Sequence, residues 1–329
     1  MSLKNSPTLK SSKIRVGLTI GDPAGIGPAI TLAALKILKN KADFTVIGDS
    51  GVLAKTAKLL KITQAPVKLI DLNNVQGKKF YFGSLNAQNG KASLEYLDAA
   101  WGLLKKNKID CLVTCPISKE AINLAGSKFS GHTEYLKERT KSKDIVMLLL
   151  NDKLRISLVT RHIPLKEVSG SLNQQVIVKN IFLTHRSLKS MFGIKNPRLV
   201  ACGVNPHASD NGILGDEENK IIIPALRKVR DAGVSIDGPL SADVAIAQAG
   251  DGRYDCVIAM YHDQALIPLK LTGKSSGINM TLGLPFIRTS PLHGTAFDIA
   301  RIPHLADPAS LIAAIKLAVK CASRLKINL

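Results

Sequence analysis

Three histidines occupy corresponding places in the sequence, each a few residues after a short apolar run. His162 follows the run in RISLVTRH, His207 the run in RLVACGVNPH, and His262 the run in CVIAMYH. Neutral imidazole is the commonest metal ligand in proteins, and three protein ligands beside an open position are typical of a catalytic metal site. The spacings of 45 and 55 residues match no compact metal-binding motif. Each histidine alone could therefore be a loop or capping residue, whereas the joint pattern predicts a shared site.

A second candidate site lies in SGHTEYLKERT, which contains His132 and Thr133. Thr133 is predicted to cap the N-terminus of the helix that follows. The positive end of a helix also suits a carboxylate or phosphate. This stretch therefore predicts either an anion-binding site or a helix cap and nothing more.

The segment GINMTLGLPFIRTSPLHGTAFDIA (277–300) places Asn279, Arg288 and His293 among apolar residues. Arginine binds a phosphate or carboxylate through two parallel hydrogen bonds. Lys270 is a further cation, close to His262 in the sequence. These residues predict an anion site, with a structural ion pair as the alternative for Arg288.

A glycine-rich turn, GDPAGIGP, follows the first apolar run. Its glycines permit a tight turn, Pro28 suits a first helical turn, and backbone amides there could hold an anion. Ile30 occupies the last glycine position of the dinucleotide-binding motif, and the Lys-Ser/Thr pair of a P-loop is missing. An ordinary strand-to-helix turn is the alternative.

The elements that must position these groups alternate along the chain. Short apolar runs predict strands at 13–20, 42–48, 110–115, 144–150, 154–160, 198–203 and 255–260. Apolar residues with a period of about 3.6 predict helices such as 29–40, 219–233 and 308–326. This alternation predicts an α/β fold with a largely parallel sheet, and residues 151–153 are predicted to join a hairpin. In such sheets ligands lie beyond the carboxyl ends of the strands, where the three histidines stand.

Composition narrows the class of protein. The chain has 329 residues, 45% of them hydrophobic, which is enough for a large core or two domains. No apolar run approaches the length of a membrane span, and the polar start has no secretory signal. The five cysteines form no CxxC pair, which favours a reducing cytoplasm.

The formal charge of +20 raises the question of nucleic acid. Aromatic residues are only 4% of the chain, the lysines are scattered, and no nucleic-acid-binding motif is present. We therefore expect no nucleic-acid partner and no membrane partner. A basic surface also favours a phosphorylated, anionic substrate.

Several stretches, taken together, resemble the 4-hydroxythreonine-4-phosphate dehydrogenase family of vitamin B6 biosynthesis. They are GDPAGIGP, PISKEAINLAG, FSGHTEYL, VTRHIPL, CGVNPHA, GPLSADVA, AMYHDQALIPLK and GINMTLGLPFIRTSPLHGTAFDIA. The stretches keep their order from residue 21 to residue 300. The resemblance implies a two-domain α/β/α fold like that of isocitrate and isopropylmalate dehydrogenases, with an active-site cleft between the domains, assembled as a homodimer. The implied divisions are a flexible tail (1–12), a first domain (13–134 plus 267–329), and a second domain with the dimer interface (135–266).

The resemblance also implies the chemistry. A divalent metal, zinc or alternatively magnesium or cobalt, is expected on His162, His207 and His262, in a site shared between subunits. The implied substrate contacts are His132, Thr133, Lys270, Asn279 and Arg288. NAD or NADP is expected to oxidise the C3 hydroxyl of 4-phosphooxy-L-threonine to 2-amino-3-oxo-4-phosphooxybutanoate, which loses carbon dioxide to give 3-amino-2-oxopropyl phosphate. Lys270 or Asp243 is the expected base.

The chain departs from the family pattern at several positions. They are Cys115, where Gly is usual, Arg161, where Thr is common, Ser209-Asp210 in place of Gly-Glu, and Leu292, where Asp often precedes the histidine. The loop KLTGKSSGIN also lacks a usual Phe. These departures keep open a related D-threonate or D-erythronate 4-phosphate dehydrogenase. A phosphotransacylase-like enzyme is less favoured, because that chemistry needs no three-histidine metal site.

Overall fold

The computed structural model describes residues 13–62, 68–75, 80–273 and 276–327. The predicted tail at 1–12 lies outside the described residues. The strands are β1 (Arg15–Thr19), β2 (Asp43–Gly48), β3 (Lys68–Asp71), β4 (Cys111–Thr114), β5 (Val146–Leu150), β6 (Arg155–Leu158), β7 (Leu199–Cys202), β8 (Ile236–Leu240), β9 (Cys256–Ala259), β10 (Ile278–Leu282) and β11 (Ile287–Pro291). The helices are α1 (Gly27–Leu38), α2 (Ser50–Leu60), α3 (Ala87–Lys105), α4 (Lys119–Leu124), α5 (His132–Thr140), α6 (Val168–Ser171), α7 (Gln174–Ser190), α8 (Ile223–Asp231), α9 (Ala242–Gly250), α10 (His262–Gly273) and α11 (Ala309–Ile327).

The strands form one sheet in the order β3-β2-β1-β4-β11-β10-β5-β6-β9-β7-β8. Pairing is parallel from β3 to β11 and again from β6 to β8. The central strands β10 and β5 run antiparallel to their neighbours. The sheet therefore consists of two parallel parts joined by a short antiparallel centre. This agrees with the predicted α/β fold, whose sheet was expected to be largely parallel with an antiparallel hairpin.

Each predicted strand is present, and the predicted hairpin is the antiparallel β5–β6 pair. The sequence reading missed β3, β8, β10 and β11. These strands carry polar or turn-forming residues, such as Asn279 in β10, Arg288 in β11 and Pro239 in β8. Their pattern lacks the continuous apolar run by which the other strands were recognised.

The three histidine-bearing strand ends lie side by side, because β6, β9 and β7 are adjacent and parallel. At the end of β6, the Thr160 hydroxyl donates to the Met260 carbonyl at 2.6 Å. Next to them, the side chain of Gln264 links the ends of β9 and β7, since its amide donates to the Gly203 carbonyl and its oxygen accepts from the Met260 amide, each at 2.8 Å. The ends of these three strands therefore lie at one edge of the sheet.

The predicted start of one helix, α1, agrees with the structure, and that of another, α5, does not. Pro28 lies in the first turn of α1, as predicted. Thr133 is not a cap, because α5 begins at His132 and its N-cap residue is Gly131, with φ of 153°. Glycine tolerates that φ at no steric cost. The side chain of Thr133 instead lies in the first turn, buried.

The predicted division into two domains stays a prediction. One of its boundaries, between residues 266 and 267, lies inside the continuous helix α10.

Among the described residues, none of the helices combines the length and apolar character that a membrane span requires.

Candidate active site

One cavity of about 580 Å³ collects most of the residues predicted from the sequence. Its walls come from β5, β10, β11, α10, the start of α5, and the segments that follow β4, β6 and β11. The predicted site residues that line it are His132, Thr133, His162, His262, Lys270, Asn279 and Arg288. The predicted metal ligand His207 and the predicted base Asp243 are not among its lining residues.

Helix α10 presents one face to the cavity and the other to the sheet. Asp263, Ile267 and Lys270 line the cavity at helical intervals. Ala265 and Leu269 are buried on the opposite side, where the helix packs on β5, β6 and β9. This packing fixes the positions of His262, at the start of the helix, and Lys270, near its end.

Arg288 is a fully buried cation at the cavity wall. Its side chain is only 1% exposed. Nε and Nη2 donate to the Thr114 hydroxyl at 3.2 and 2.7 Å, and Nη1 donates to the Thr281 hydroxyl at 3.1 Å. Burial lowers the pKa of Arg288 to about 10, and Glu134 opposes that shift.

No described carboxylate forms an ion pair with Arg288, so the structural ion pair considered from the sequence is not found in the described part of the chain. Neutral hydroxyls position the guanidinium without neutralising its charge. A buried charge without a partner is unfavourable. The site is therefore suited to an anionic ligand that supplies the missing charge. Lys119 lines the same cavity and adds to its positive potential.

Several buried polar atoms of the cavity have no hydrogen-bond partner among the described residues. They are Nε2 of His132, Oδ1 of Asn279 and Nε2 of His293. Burial and the Arg288 guanidinium lower the pKa of His132 well below its ordinary value, against a hydrogen bond with the Cys115 backbone. His132 is thus neutral at pH 7. Unsatisfied buried atoms are costly, which indicates that a polar ligand completes these contacts.

Two of the predicted metal ligands meet in the cavity. The ring centroids of His162 and His262 are 5.5 Å apart. Asp263 Oδ1 lies 2.6 Å from Nδ1 of His262, a carboxylate–histidine pair that leaves Nε2 available to a ligand. Burial, Lys119 and His262 lower the pKa of His162, which favours the neutral imidazole that a metal requires. This pair fits a divalent ion.

The third predicted ligand, His207, is not brought to this pair within one chain. His207 is exposed and lies at a left-handed φ of 50° in the 206–212 segment. Across residues 13–62, 68–75, 80–273 and 276–327, no group of three or more His, Cys, Asp or Glu side chains is arranged to hold a metal ion. The three-histidine set therefore stays a prediction.

Asp243 lies in the first turn of α9, exposed to solvent. The Ser241 hydroxyl donates to its carboxylate, and that bond, the Val244 amide and the nearby His207 lower its pKa. A carboxylate with a lowered pKa is a weaker base. The predicted role of Asp243 as a base is thus unsupported by its position in its own chain.

The glycine-rich turn is part of the scaffold. Its backbone amides already have acceptors: that of Asp22 donates to the Pro116 carbonyl, that of Ala24 to Asp22 Oδ1, and that of Ile26 to the Thr295 carbonyl. These bonds favour the ordinary strand-to-helix turn, which the sequence left open beside an anion site. Gly21, at φ of 72°, lets the chain pass against the segment after β4.

Sequence reasoning missed one polar residue of the cavity, Lys119, which begins α4. The sequence offers only its place in PISKEAINLAG, after a predicted strand. His293, which was named with Asn279 and Arg288 in the predicted anion-binding segment, follows β11 and lines the cavity with them.

The chain is similar to known proteins over most of its length. Residues 40–318 match the family described as Pyridoxal phosphate biosynthetic protein PdxA. A 4-hydroxythreonine-4-phosphate dehydrogenase from Desulforapulum autotrophicum is 42% identical over 320 residues, covering 92% of this chain and 94% of that protein. A D-threonate 4-phosphate dehydrogenase from Cupriavidus necator is 39% identical over 327 residues, covering 94% and 97%.

A solved structure shows the same fold. The 4-hydroxythreonine-4-phosphate dehydrogenase of Klebsiella pneumoniae superposes with a TM-score of 0.85 at 36% identity, covering 96% of this chain and 100% of that one. The predicted fold class is confirmed.

Proposed function

We propose that this chain, which belongs to the Pyridoxal phosphate biosynthetic protein PdxA family, is a cytoplasmic 4-hydroxythreonine-4-phosphate dehydrogenase. It oxidises the C3 hydroxyl of 4-phosphooxy-L-threonine with NAD or NADP as the hydride acceptor. The product, 2-amino-3-oxo-4-phosphooxybutanoate, is a β-keto acid and decarboxylates to 3-amino-2-oxopropyl phosphate. The names of the relatives support the dehydrogenase class. The site geometry supports the substrate charge.

The observation that carries this proposal is the buried, carboxylate-free Arg288. A phosphate bound there would accept two parallel, charge-assisted hydrogen bonds and neutralise the guanidinium. Lys119 lines the same cavity and adds a second cation. His132 and Asn279 have unpartnered atoms for the remaining polar groups of the substrate. Together they would fix the substrate in one orientation beside the histidines.

The divalent metal is proposed on His162, His262 and His207. When bound, such an ion lowers the pKa of a coordinated hydroxyl and polarises the ketone that forms from it. In the chain itself, Asp263 orients the His262 ring through Nδ1. Of the two candidate bases, Lys270 lines the cavity. We therefore assign to its Nζ the removal of the C3 hydroxyl proton.

A homodimer would explain the outlying position of His207. Two large apolar side chains on the elements concerned are exposed: Ile213, just after the 206–212 segment, is 83% exposed, and Leu271, in the helix that begins at His262, is 77% exposed. We propose that a second copy covers these side chains and that the His207 segment of one subunit completes the cavity of the other. Asp243, whose pKa the nearby His207 lowers, would then lie close to that cavity as well.

A second candidate function is the oxidation of D-threonate or D-erythronate 4-phosphate. Leu292 favours it, because this apolar side chain lines the cavity where the family resemblance implies a carboxylate that could face an ammonium group. The relative from Cupriavidus necator carries that activity in its name.

The test is NADH or NADPH formation by the purified protein, with and without a chelator. The substrates are 4-phosphooxy-L-threonine, D-threonate 4-phosphate and D-erythronate 4-phosphate. Chelator-sensitive turnover of the amino substrate is expected. Turnover of only a sugar-acid phosphate would replace the first function by the second, and no turnover of any of them by folded, metal-loaded protein would contradict both.

A further inference from the structure

One buried carboxylate, that of Glu218, holds the base of the segment that carries His207. Glu218 is 1% exposed. Its Oε1 accepts hydrogen bonds from the backbone amides of Val204 at 2.7 Å and Asn205 at 2.9 Å, and its Oε2 accepts one from Asn205 Nδ2 at 2.9 Å. No described cation forms an ion pair with it. The N–H groups at the base of this segment therefore stabilise the charge of Glu218, and the carboxylate in turn fixes the segment.

The close approach leaves no room for a side chain at residue 203. A Cβ atom at Gly203 would lie 2.9 Å from Oε1 of Glu218 and 2.8 Å from Cα of Ala208. The segment can fold back this closely on the carboxylate because residue 203 has no side chain. The position of Glu218 therefore helps to set the backbone direction of the residues after Asn205.

The backbone beyond this base is strained. Residues 207–211 all have left-handed φ values, between 44° and 71°. Each non-glycine residue in this conformation costs about 1–2 kcal/mol. A strained run of this kind persists only when its surroundings determine it. The hydrogen bonds of Glu218 are the buried restraint at its start.

The same region connects the His207 segment to the His162 segment. Asn205 Nδ2 also donates to Oε2 of Glu217 at 2.7 Å. The Ser169 hydroxyl, in α6 just after the His162 segment, donates to the other oxygen of Glu217. Glu217 and Glu218 therefore link the segments that follow β6 and β7.

We propose that Glu218 is a positioning residue of the metal site, which presents the His207 imidazole in one orientation. This inference rests on the proposed function, because it requires His207 to be a ligand. Glu218 does not touch the metal or the substrate; it acts through the backbone of residues 204–207. Loss of such supporting contacts typically weakens metal affinity by about 10–100-fold.

The experiment is a Co²⁺ titration of the metal-free, full-length protein, followed by the absorption of the bound ion. The Glu218→Gln variant keeps the size of the side chain but turns an NH₂ group toward donors, so we expect a Kd for Co²⁺ raised by about 10–100-fold. Its kcat should fall at saturating metal. Glu138→Gln, which changes an exposed glutamate of α5, is the matched control and should bind Co²⁺ as the wild type does.

The thermal stability of each metal-free variant separates positioning from a merely structural role. A lower Tm with an unchanged Co²⁺ affinity in Glu218→Gln would overturn the inference. Asn205→Ala is the second variant, since it removes one donor to Glu218, together with the same side chain's bond to Glu217, and leaves the backbone contacts to Glu218. Asn205→Ala should also raise the Kd for Co²⁺, by less than Glu218→Gln does. An unchanged Kd in Asn205→Ala would overturn the inference even if Glu218→Gln did not fold.

The two proposals fail differently in this titration. If the wild-type protein bound no Co²⁺, the metal site and the role of Glu218 would both be wrong. If the wild type bound Co²⁺ and Glu218→Gln bound it equally well, only the role of Glu218 would be wrong.

Discussion

The two sides of the cavity differ in how completely one chain builds them. On the β4–β11–β10 side, Arg288 is buried and held by the hydroxyls of Thr114 and Thr281. On the β6–β9–β7 side, the rings of His162 and His262 meet, but His207 stands exposed on a left-handed segment. We propose that the Arg288 side binds the anion and is complete in one chain, and that the histidine side needs a second copy; the two are called the anion-binding side and the histidine side.

The difference follows from where the side chains are attached. Arg288 belongs to a strand, whose backbone pairs with strands on both sides and fixes the direction of every side chain. His162 and His207 stand on segments beyond strand ends, and His262 begins helix α10. The side chain of Gln264 links the ends of β9 and β7. A strand can hold a charge in place before any ligand binds. A loop needs restraints from its neighbours, and here we propose that a second subunit supplies them.

The largest expected effect comes from removing the histidines. His162→Ala, His207→Ala and His262→Ala should each lower metal affinity by more than about 100-fold, because each removes a ligand rather than a supporting contact. The folded structure, followed by circular dichroism, should be retained. Zinc content after dialysis is the measurement.

His304→Ala, which changes an exposed histidine outside the cavity, is the control and should keep its zinc. An unchanged zinc content in His207→Ala would show that the histidine side does not need His207, and the comparison between the two sides would fail.

The next effect is on the anion-binding side. Arg288→Met should lower kcat/KM by at least roughly 100-fold, since a charge-assisted hydrogen bond to phosphate contributes about 1.5–3 kcal/mol and this arginine can make two. Its Tm should not fall in the absence of substrate, because the variant replaces a buried charge that has no carboxylate partner by an apolar side chain. Steady-state kinetics and thermal unfolding measure both.

Lys91→Met serves as the comparison for that variant, since the Lys91 side chain is 72% exposed and belongs to α3. It should leave kcat/KM unchanged. An Arg288→Met protein with wild-type KM for the phosphorylated substrate would remove the main support for the proposed function.

The smallest expected effect is on the pH dependence of stability, through Asp22 in the glycine-rich turn. Burial raises the pKa of Asp22 to about 7, although the Ala24 amide donates to it. In the unfolded chain this pKa is about 3.9, so the folded state holds the proton more tightly between these values. The stability that Asp22 contributes is complete below about pH 4 and is lost as the pH rises to about 7.

Asp22→Asn should therefore reduce the loss of stability between pH 4 and pH 7 by more than about 1 kcal/mol. Urea unfolding of both proteins at pH 4.5, 6 and 8 measures it. Parallel pH profiles of the two proteins would contradict the raised pKa.

Sequence alone predicted the parts of this molecule that depend on apolar runs and on strand ends. The strands that end near His162, His207 and His262 were predicted because each is a continuous apolar run. Strands β10 and β11 were missed, because Asn279 and Arg288 interrupt their apolar pattern at the positions that face the ligand cavity. The residues that carry the site are thus the ones that obscure its secondary structure.

The sequence alone also could not predict the surroundings of each side chain in the folded protein. Nothing in FIRTS shows that the arginine is buried with hydroxyl partners, since Thr114 is far away in the chain. Nor does NPHASD show a left-handed run or its support by Glu218. Both depend on contacts between distant segments, which local pattern does not encode.

Subunit mixing tests the central claim most directly, namely that two copies share one site. The inactive variants His162→Ala and His207→Ala are unfolded together, refolded as a mixture and assayed for dehydrogenase activity. If His162 of one copy works with His207 of the other, each mixed dimer regains one intact site, and random pairing should restore roughly a quarter of the wild-type activity. If each cavity uses only its own chain, every site in the mixture lacks a ligand, and the absence of any recovery would contradict the account.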